Sequence, residues 1–263
     1  MGDWNPSPLT PYASRDSMKA MILAAGLGTR LRPLTNMIPK PLLPIAGTPL
    51  IVWNLLLLKR YGFHDVVINL HHLGPMIEQA LGNGSRYGLR IIYSREPAIL
   101  GTGGGLKQAE PHFSGESVLV LNGDTLVELD LGALCAFHQQ RDAVATLVLR
   151  KDPKAARWGL VEMDSDNRIV RITGRGRTES VPTQPRMFAG IHVLRPRLLR
   201  DVPKGVASTI IDPYVAAIQR GEMVLGYDCE GYWSDIGTPE RYAQAEQDAS
   251  AGLITLAARQ RRA

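Results

Sequence analysis

The chain has 263 residues, 44% of them hydrophobic and 21% charged, enough to bury a sizeable α/β core. Its formal net charge is only +5, with no dense basic stripe interleaved with aromatics, which argues against a nucleic-acid partner and suits a small anionic substrate. Cys135 and Cys229 stand far apart without CxxC or metal spacing, so they read as buried thiols of a reducing cytoplasm.

Residues 1–17 carry three prolines and small polar residues but no apolar signal core; they read as a disordered extension ahead of Met18. Ala20 to Ala25 is a short apolar run with the character of a buried strand. The loop that follows holds Gly26, Gly28, Thr29 and Arg30, then Lys40 between two prolines. Glycines let backbone N–H groups approach an anion, and Arg and Lys supply positive charge, so the stretch reads as a phosphate grip. Leu31 stands where a Rossmann fingerprint needs its third glycine, and no GK[ST] closes the turn, so dinucleotide and Walker-type loops are disfavoured.

Pro49 to Arg60 predicts a buried helix, Asp65 to Leu70 a strand, Pro75 to Leu81 a helix and Leu89 to Tyr93 a strand. This is the alternation of a doubly wound, mostly parallel sheet. Glu96 to Lys107 holds four glycines in five positions, which reads as a ligand loop opening a helix at Leu106. Val118 to Leu121 is a strand ending in Asn122-Gly123-Asp124, with Asp124 aimed at the ligand crevice of an open α/β sheet. Leu131 to Gln140 predicts a helix and Ala143 to Leu149 a buried strand. Beyond Arg150 the pattern changes: Gly159 to Met163, Ile169 to Ile172 and Phe188 to Leu194 read as a smaller antiparallel portion laid beside the main sheet. Thr173 to Arg186 is apolar-poor and reads as a mobile loop. A helix over Ile210 to Arg220, a strand over Met223 to Tyr227, the segment Gly231 to Thr238 and a helix from Pro239 complete the pattern, followed by a basic tail over 251–263. The organisation expected is one domain over 18–250. His71-His72 has no accompanying metal-spaced ligand and reads as structural or solvated.

The motifs Gly26-Leu27-Gly28-Thr29-Arg30, Pro39-Lys40-Pro41-Leu42, Gly101-Thr102-Gly103-Gly104, Asn122-Gly123-Asp124 and Asp235-Ile236-Gly237-Thr238 follow one another in order. Together they resemble the sugar-1-phosphate nucleotidylyltransferases across Met18 to Ser250. The resemblance implies a Rossmann-like doubly wound mixed sheet with a smaller antiparallel sugar-binding portion. It also implies transfer of a nucleotidyl group from a nucleoside triphosphate to a sugar 1-phosphate, with Mg²⁺ as cofactor. On it, Arg30 holds the leaving phosphates with the Gly26, Gly28 and Thr29 backbone, and Lys40 bridges the α-phosphate and the sugar phosphate. Asp124 and Asp235 would share the metal. Leu23, Ala24, Ala25, Glu96, Gly101, Thr102, Asn122 and Gly123 would hold the nucleotide; Gly159, Glu162 and Gly190 lie on the sugar side. Trp233 either packs the metal loop or faces the sugar. Thr173-Gly174-Arg175 stands where many relatives carry Glu-Lys-Pro, so the chain departs from the family at a sugar contact. The short uridylyltransferases of N-acetylmuramate 1-phosphate resemble it most within the family, and the mannose-1-phosphate guanylyltransferases share most features. A phosphocholine cytidylyltransferase and a non-catalytic nucleotide-sugar sensor are the rivals. Neither nucleic acid nor membrane is implied as partner, and a monomer or homodimer is expected.

Overall fold

In the computed structural model the described residues are 18–178 and 181–254; the expected extension over 1–17 and most of the basic tail lie outside them. Strand β1 (Lys19–Leu23) leads through short 3-10 turns and the hairpin β2 (Pro44–Ile45) and β3 (Thr48–Pro49) to helix α1 (Leu50–Arg60). Then come β4 (Asp65–Leu70), α2 (Gly74–Leu81), β5 (Arg90–Arg95), α3 (Gly101–Ala109), β6 (Val118–Asn122), β7 (Thr125–Val127) and α4 (Leu131–Gln140). The second half runs β8 (Ala145–Arg150), β9 (Leu160–Met163), β10 (Ile169–Ile172), β11 (Arg175–Gly176), β12 (Gln184–Leu194), α5 (Ile211–Gln219), β13 (Val224–Asp228), β14 (Trp233–Asp235) and α6 (Pro239–Ser250).

Side chains alternate across the central strands, and each face receives helices. Ala20 and Ile22 of β1, Val66 and Ile68 of β4, and Leu119 and Leu121 of β6 pack with α1, α2 and α4. Met21, Val67, Val118 and Val120 face the other way, against Leu106 of α3 and Tyr214 of α5. Burial on both faces explains why these strands read as continuous apolar runs.

The main path of the ten-stranded sheet is β11-β10-β9-β12-β6-β1-β4-β5, with β8 and β13 joined through β12. β1 pairs in parallel with β4 on one edge and with β6 on the other. The chain winds outward from β1 to β5, then returns through α3 to β6. The order therefore reverses between β1 and β6, and their carboxyl ends open a crevice at Leu23 and Asn122, which are partners in the register.

The antiparallel strands expected beside the main sheet are hydrogen-bonded into it. β12 pairs with β9 over its first residues and with β6 over its last, while β8 follows its opposite edge. The expected strand at Phe188 therefore begins at Gln184, and the expected loop from Thr173 is shortened at both ends by β11 and β12. Gln184 and Pro185 are exposed on an edge-paired stretch, so strand pairing here leaves no apolar signature. The first strand stops at Leu23 rather than Ala25, releasing Ala24 and Ala25 into the loop.

The glycine-rich run differs most from expectation. Its glycines are not a loop before the helix; they form the first turns of α3. A Cβ on Gly103 would lie 2.8 Å from the Thr209 carbonyl oxygen, and one on Gly104 would overlap that of Val206. At Gly105 it would meet Glu96 Oε1 at 2.7 Å. Close approach of backbone to this helix outweighs the low helical propensity of glycine, about 1 kcal/mol per residue.

Cys135 and Cys229 are buried. No helix among the described residues is long and apolar enough to cross a membrane. His138 is buried between Thr146 Oγ1 at 2.9 Å and Ser117 Oγ at 3.3 Å, and burial lowers its pKa to about 4. His192 shares a hydrogen bond with the Tyr214 hydroxyl, and burial lowers its pKa to about 3. Both rings are neutral in the fold while the unfolded chain protonates them near pH 6.5. The stability they contribute is complete above that pH and falls below it. Each loses about 1.4 kcal/mol per pH unit down to its folded pKa. The denaturant midpoint should therefore drop steadily from pH 6.5 to 5, with a shallower slope in His192→Gln; an unchanged slope would assign the proton uptake elsewhere.

Candidate active site

The crevice at the end of β1 and β6 is lined by Leu23, Ala24, Ala25 and Gly26, by Gly101 and Thr102 at the start of α3, and by Asn122, Gly123 and Asp124. Lys40, Asn69 and Ile99 complete its wall. The Gly123 amide donates to the Leu23 carbonyl at 2.9 Å, which locks the two strand ends together. A second hollow continues from it past Gly26 to Leu31, with Lys40, Asp124 and Gly237 on its wall. Gly26, Lys40, Ile99 and Asp124 belong to both, so the two form one cleft.

Arg30 and Lys40 reach this cleft from separate 3-10 turns, Thr29–Leu31 and Lys40–Leu42. The stretch between them is tied back on itself. Thr35 is buried, donates through Oγ1 to the Gly28 carbonyl at 2.8 Å, and accepts through its own carbonyl from His72 Nε2 at 3.2 Å. His71 Nδ1 meets the Glu96 carbonyl at 2.9 Å. The two histidines thus have structural roles in holding the loops. Lys40 is only 9% exposed and forms an ion pair with Asp124.

The two aspartates, remote in sequence, meet because β14 pairs antiparallel with β7. Asp235 lies opposite Thr125, and the Ile236 amide donates to the Asp124 carbonyl at 2.8 Å. Burial raises the pKa of Asp235, and the neighbouring charge of Asp124 raises it further; Lys40, Arg241 and Arg30 oppose the shift. Asp235 Oδ1 is shielded from solvent and makes no hydrogen bond, although Arg241 Nη1 lies 2.9 Å away. A buried carboxylate oxygen without an aligned hydrogen bond, next to a second carboxylate, fits a hard divalent cation. No group of three or more His, Cys, Asp or Glu among the described residues forms a full cage. The donor set therefore suits an ion that completes its shell with water and phosphate oxygens.

Glu96 does not line the cleft. It is buried, with Oε1 accepting from Asn69 Nδ2 at 2.7 Å and Oε2 from the Leu100 amide at 2.9 Å. Asn69 Oδ1 in turn accepts from the Ala24 amide at 2.8 Å. Glu96 thus reaches the cleft only through Asn69, a lining residue that sequence reasoning missed. A buried Asn at the end of a β-branched strand was the available signal.

The residues assigned to the sugar side also stand apart from the cleft lining. Gly159 follows a 3-10 turn with φ +90°. Glu162 is paired at 2.8 Å through each oxygen with Arg171, which holds its pKa low, and accepts from Thr183 Oγ1 at 3.2 Å. Gly190 has φ +77°, and a Cβ there would sit 2.5 Å from Asn122 Nδ2, so β12 packs directly on the end of β6. Trp233 is half-buried and donates through Nε1 to the Ala189 carbonyl at 2.9 Å. Arg241 and Trp158, which sequence reasoning missed, complete this wall; nothing in their local sequence distinguishes them from surface residues.

A doubly wound sheet with a cationic glycine loop and two neighbouring aspartates at its switch point has the architecture of an α/β enzyme suited to a phosphate-bearing ligand. The comparisons narrow the class. The family model described as nucleotidyl transferase matches residues 19–252, and the chain belongs to that family of enzymes. It is 41% identical to the N-acetylmuramate alpha-1-phosphate uridylyltransferase of Neisseria meningitidis serogroup B, over 89% of this chain and 99% of that one. It is 34% identical to the mannose-1-phosphate guanylyltransferase of Mycobacterium tuberculosis, covering 89% of this chain but 65% of that longer one. The UDP-glucose pyrophosphorylase of Acinetobacter baumanii has the same fold, with a TM-score of 0.75 over 93% of this chain and 97% of that one, at 20% identity.

Proposed function

We propose that this enzyme transfers a nucleotidyl group from a nucleoside triphosphate to a sugar 1-phosphate, with UTP and N-acetylmuramate 1-phosphate as the preferred pair. The observation that carries the transfer chemistry is the meeting of Lys40, Asp124 and Asp235 at the end of the phosphate loop. The substrate pair is supported by the Neisseria relative, which the chain matches over nearly its whole length.

A sugar-phosphate oxygen forms a bond to the α-phosphorus as the bond to pyrophosphate breaks, and the electron pair leaves with pyrophosphate. The protein must align two polyanions and offset their repulsion. Backbone amides of Gly26 to Thr29 and the Arg30 guanidinium hold the β- and γ-phosphates and stabilise them as they depart. Lys40, nearly buried, presents a single ammonium between the α-phosphate and the incoming phosphate; Asp124 keeps it in place until they arrive. Leu23 to Ala25, with Gly101, Thr102, Asn122 and Gly123, wall the base and ribose, and Glu96 stiffens that wall through Asn69. Gly159, Glu162, Gly190 and Trp233 shape the side that receives the sugar. Asp124 and Asp235 would hold Mg²⁺, which supplies charge neutralisation at the phosphates.

A matrix of nucleoside triphosphates against sugar 1-phosphates, with pyrophosphate release measured, tests the reading. UTP with N-acetylmuramate 1-phosphate should give the highest kcat/KM. Preference for GTP with mannose 1-phosphate would replace the substrate pair, and activity confined to CTP with phosphocholine would replace the acceptor class. Tight nucleotide binding without turnover in any combination would make the protein a sensor.

A further inference from the structure

Two buried polar atoms at the site lack hydrogen bonds: Asp235 Oδ1 and Arg241 Nη1. They face each other at 2.9 Å as an ion pair, yet are not aligned as donor and acceptor. Arg241 lies in the first turn of α6, its amide 3.4 Å from Oγ1 of the capping Thr238. Its guanidinium lies over the Trp158 ring, 4.8 Å from the centroid. Trp158 packs edge-to-face on Trp233, with centroids 5.6 Å apart and an interplanar angle of 85°. Trp233 is fixed through the Ala189 carbonyl, and the next residue, Gly190, abuts Asn122. A continuous line of contact thus runs from Asp235 through Arg241 and the two tryptophans to the end of β6.

We propose that Arg241 is a positioning residue: anchored on Trp158, it holds Asp235 for a divalent cation without closing an aligned hydrogen bond on Oδ1. The inference rests on the reading of Asp235 as a cation ligand. An aligned arginine–carboxylate pair would saturate the carboxylate, and a misaligned ion pair at Oδ1 avoids that closure. Stacking explains how the guanidinium stays misaligned. A planar, delocalised cation is attracted to the indole face, and this second attachment competes with full engagement of Asp235. Lysine offers neither the plane nor the fork. Because Trp158 leans on Trp233, the same attachment ties the cation site to the wall assigned to the sugar.

The test is Mn²⁺ binding to the full chain with a non-hydrolysable UTP analogue, with free Mn²⁺ followed by electron paramagnetic resonance. Asp235→Asn is the control for the underlying reading and should weaken Mn²⁺ more than any Arg241 variant, leaving only what Asp124 and the nucleotide phosphates supply. Arg241→Gln should weaken Mn²⁺ about 10-fold, with Arg241→Lys between it and wild type. Trp158→Ala, at a site 37% exposed, should weaken it about 3-fold, and Trp158→Phe should restore it. If Asp235→Asn binds like wild type, the cation reading fails. If it does not, but a folded Arg241→Gln binds within twofold of wild type, the positioning role of Arg241 is overturned. Should Arg241→Gln not fold, unchanged Mn²⁺ affinity in Trp158→Ala overturns the proposal in its place.

Discussion

Asp124→Asn is expected to fold normally and to turn over about 10³-fold more slowly than wild type, the loss that corresponds to roughly 4 kcal/mol of transition-state stabilisation. The substitution keeps the shape of the side chain and leaves the backbone carbonyl that accepts from the Ile236 amide in place. What disappears is one negative charge. Lys40 then lacks its counter-ion at a position only 9% exposed, but Asp124 itself is 30% exposed on an open cleft. The stability cost should therefore stay near 1–2 kcal/mol, below that of breaking a fully buried pair. The sign of the nucleotide effect separates this role from a structural one. In the presence of a chelator, the variant should bind UTP at least as tightly as wild type, because a carboxylate that repels phosphate is gone and Lys40 is released. Turnover, melting and chelated UTP binding measured together decide it; near-normal turnover removes Asp124 from the reaction.

The parts of the site legible in the sequence are those whose signal is local. Gly26 to Arg30 follows a buried strand, and Asn122 to Asp124 ends another; strand polarity alone sends both to the same edge of the sheet. The convergence of Asp124 and Asp235 is implied only by the family resemblance; its physical cause is the pairing of β7 with β14, two three-residue strands far apart in the chain. Such short strands carry no periodicity to read. The glycines of α3 were misplaced for a related reason. Their local propensity argues against a helix, whereas the deciding contacts come from backbone more than 100 residues away, at Val206 and Thr209. Glu96 illustrates the limit of residue-by-residue transfer from a family: the resemblance puts it on the nucleotide, but both oxygens face inward, to Asn69 and Leu100. Arg241 stands in the first turn of a polar helix, where a charge ordinarily meets solvent. Only the tertiary structure sets it between a carboxylate and an indole.

Gly237→Ala should separate stability from catalysis. A Cβ at this position would overlap Asp235 Oδ1 and lie 2.8 Å from Nη2 of both Arg241 and Arg30. The three side chains proposed to hold the cation ligand and the leaving phosphates thus converge on one missing methyl group. All three atoms are the ends of side chains that can swing away, and no backbone atom is among them. The folded state can accommodate the methyl group at a cost of about 1 kcal/mol, close to the ordinary effect of a point mutation. The reaction cannot accommodate it so cheaply. Displacing Arg30 and Asp235 together by even about 1 Å moves both the group proposed to receive the leaving charge and the carboxylate beside Asp124, with an expected loss of about 10²-fold in kcat. Since the residues proposed to wall the base and ribose, Leu23 to Ala25 and Gly101, do not touch this methyl group, KM for the nucleotide should change less than kcat. A variant with wild-type kcat would show that Arg30 and Asp235 need not hold these positions during transfer. A variant with a large fall in melting temperature would instead show that the cluster at Gly237 is a structural support of α6.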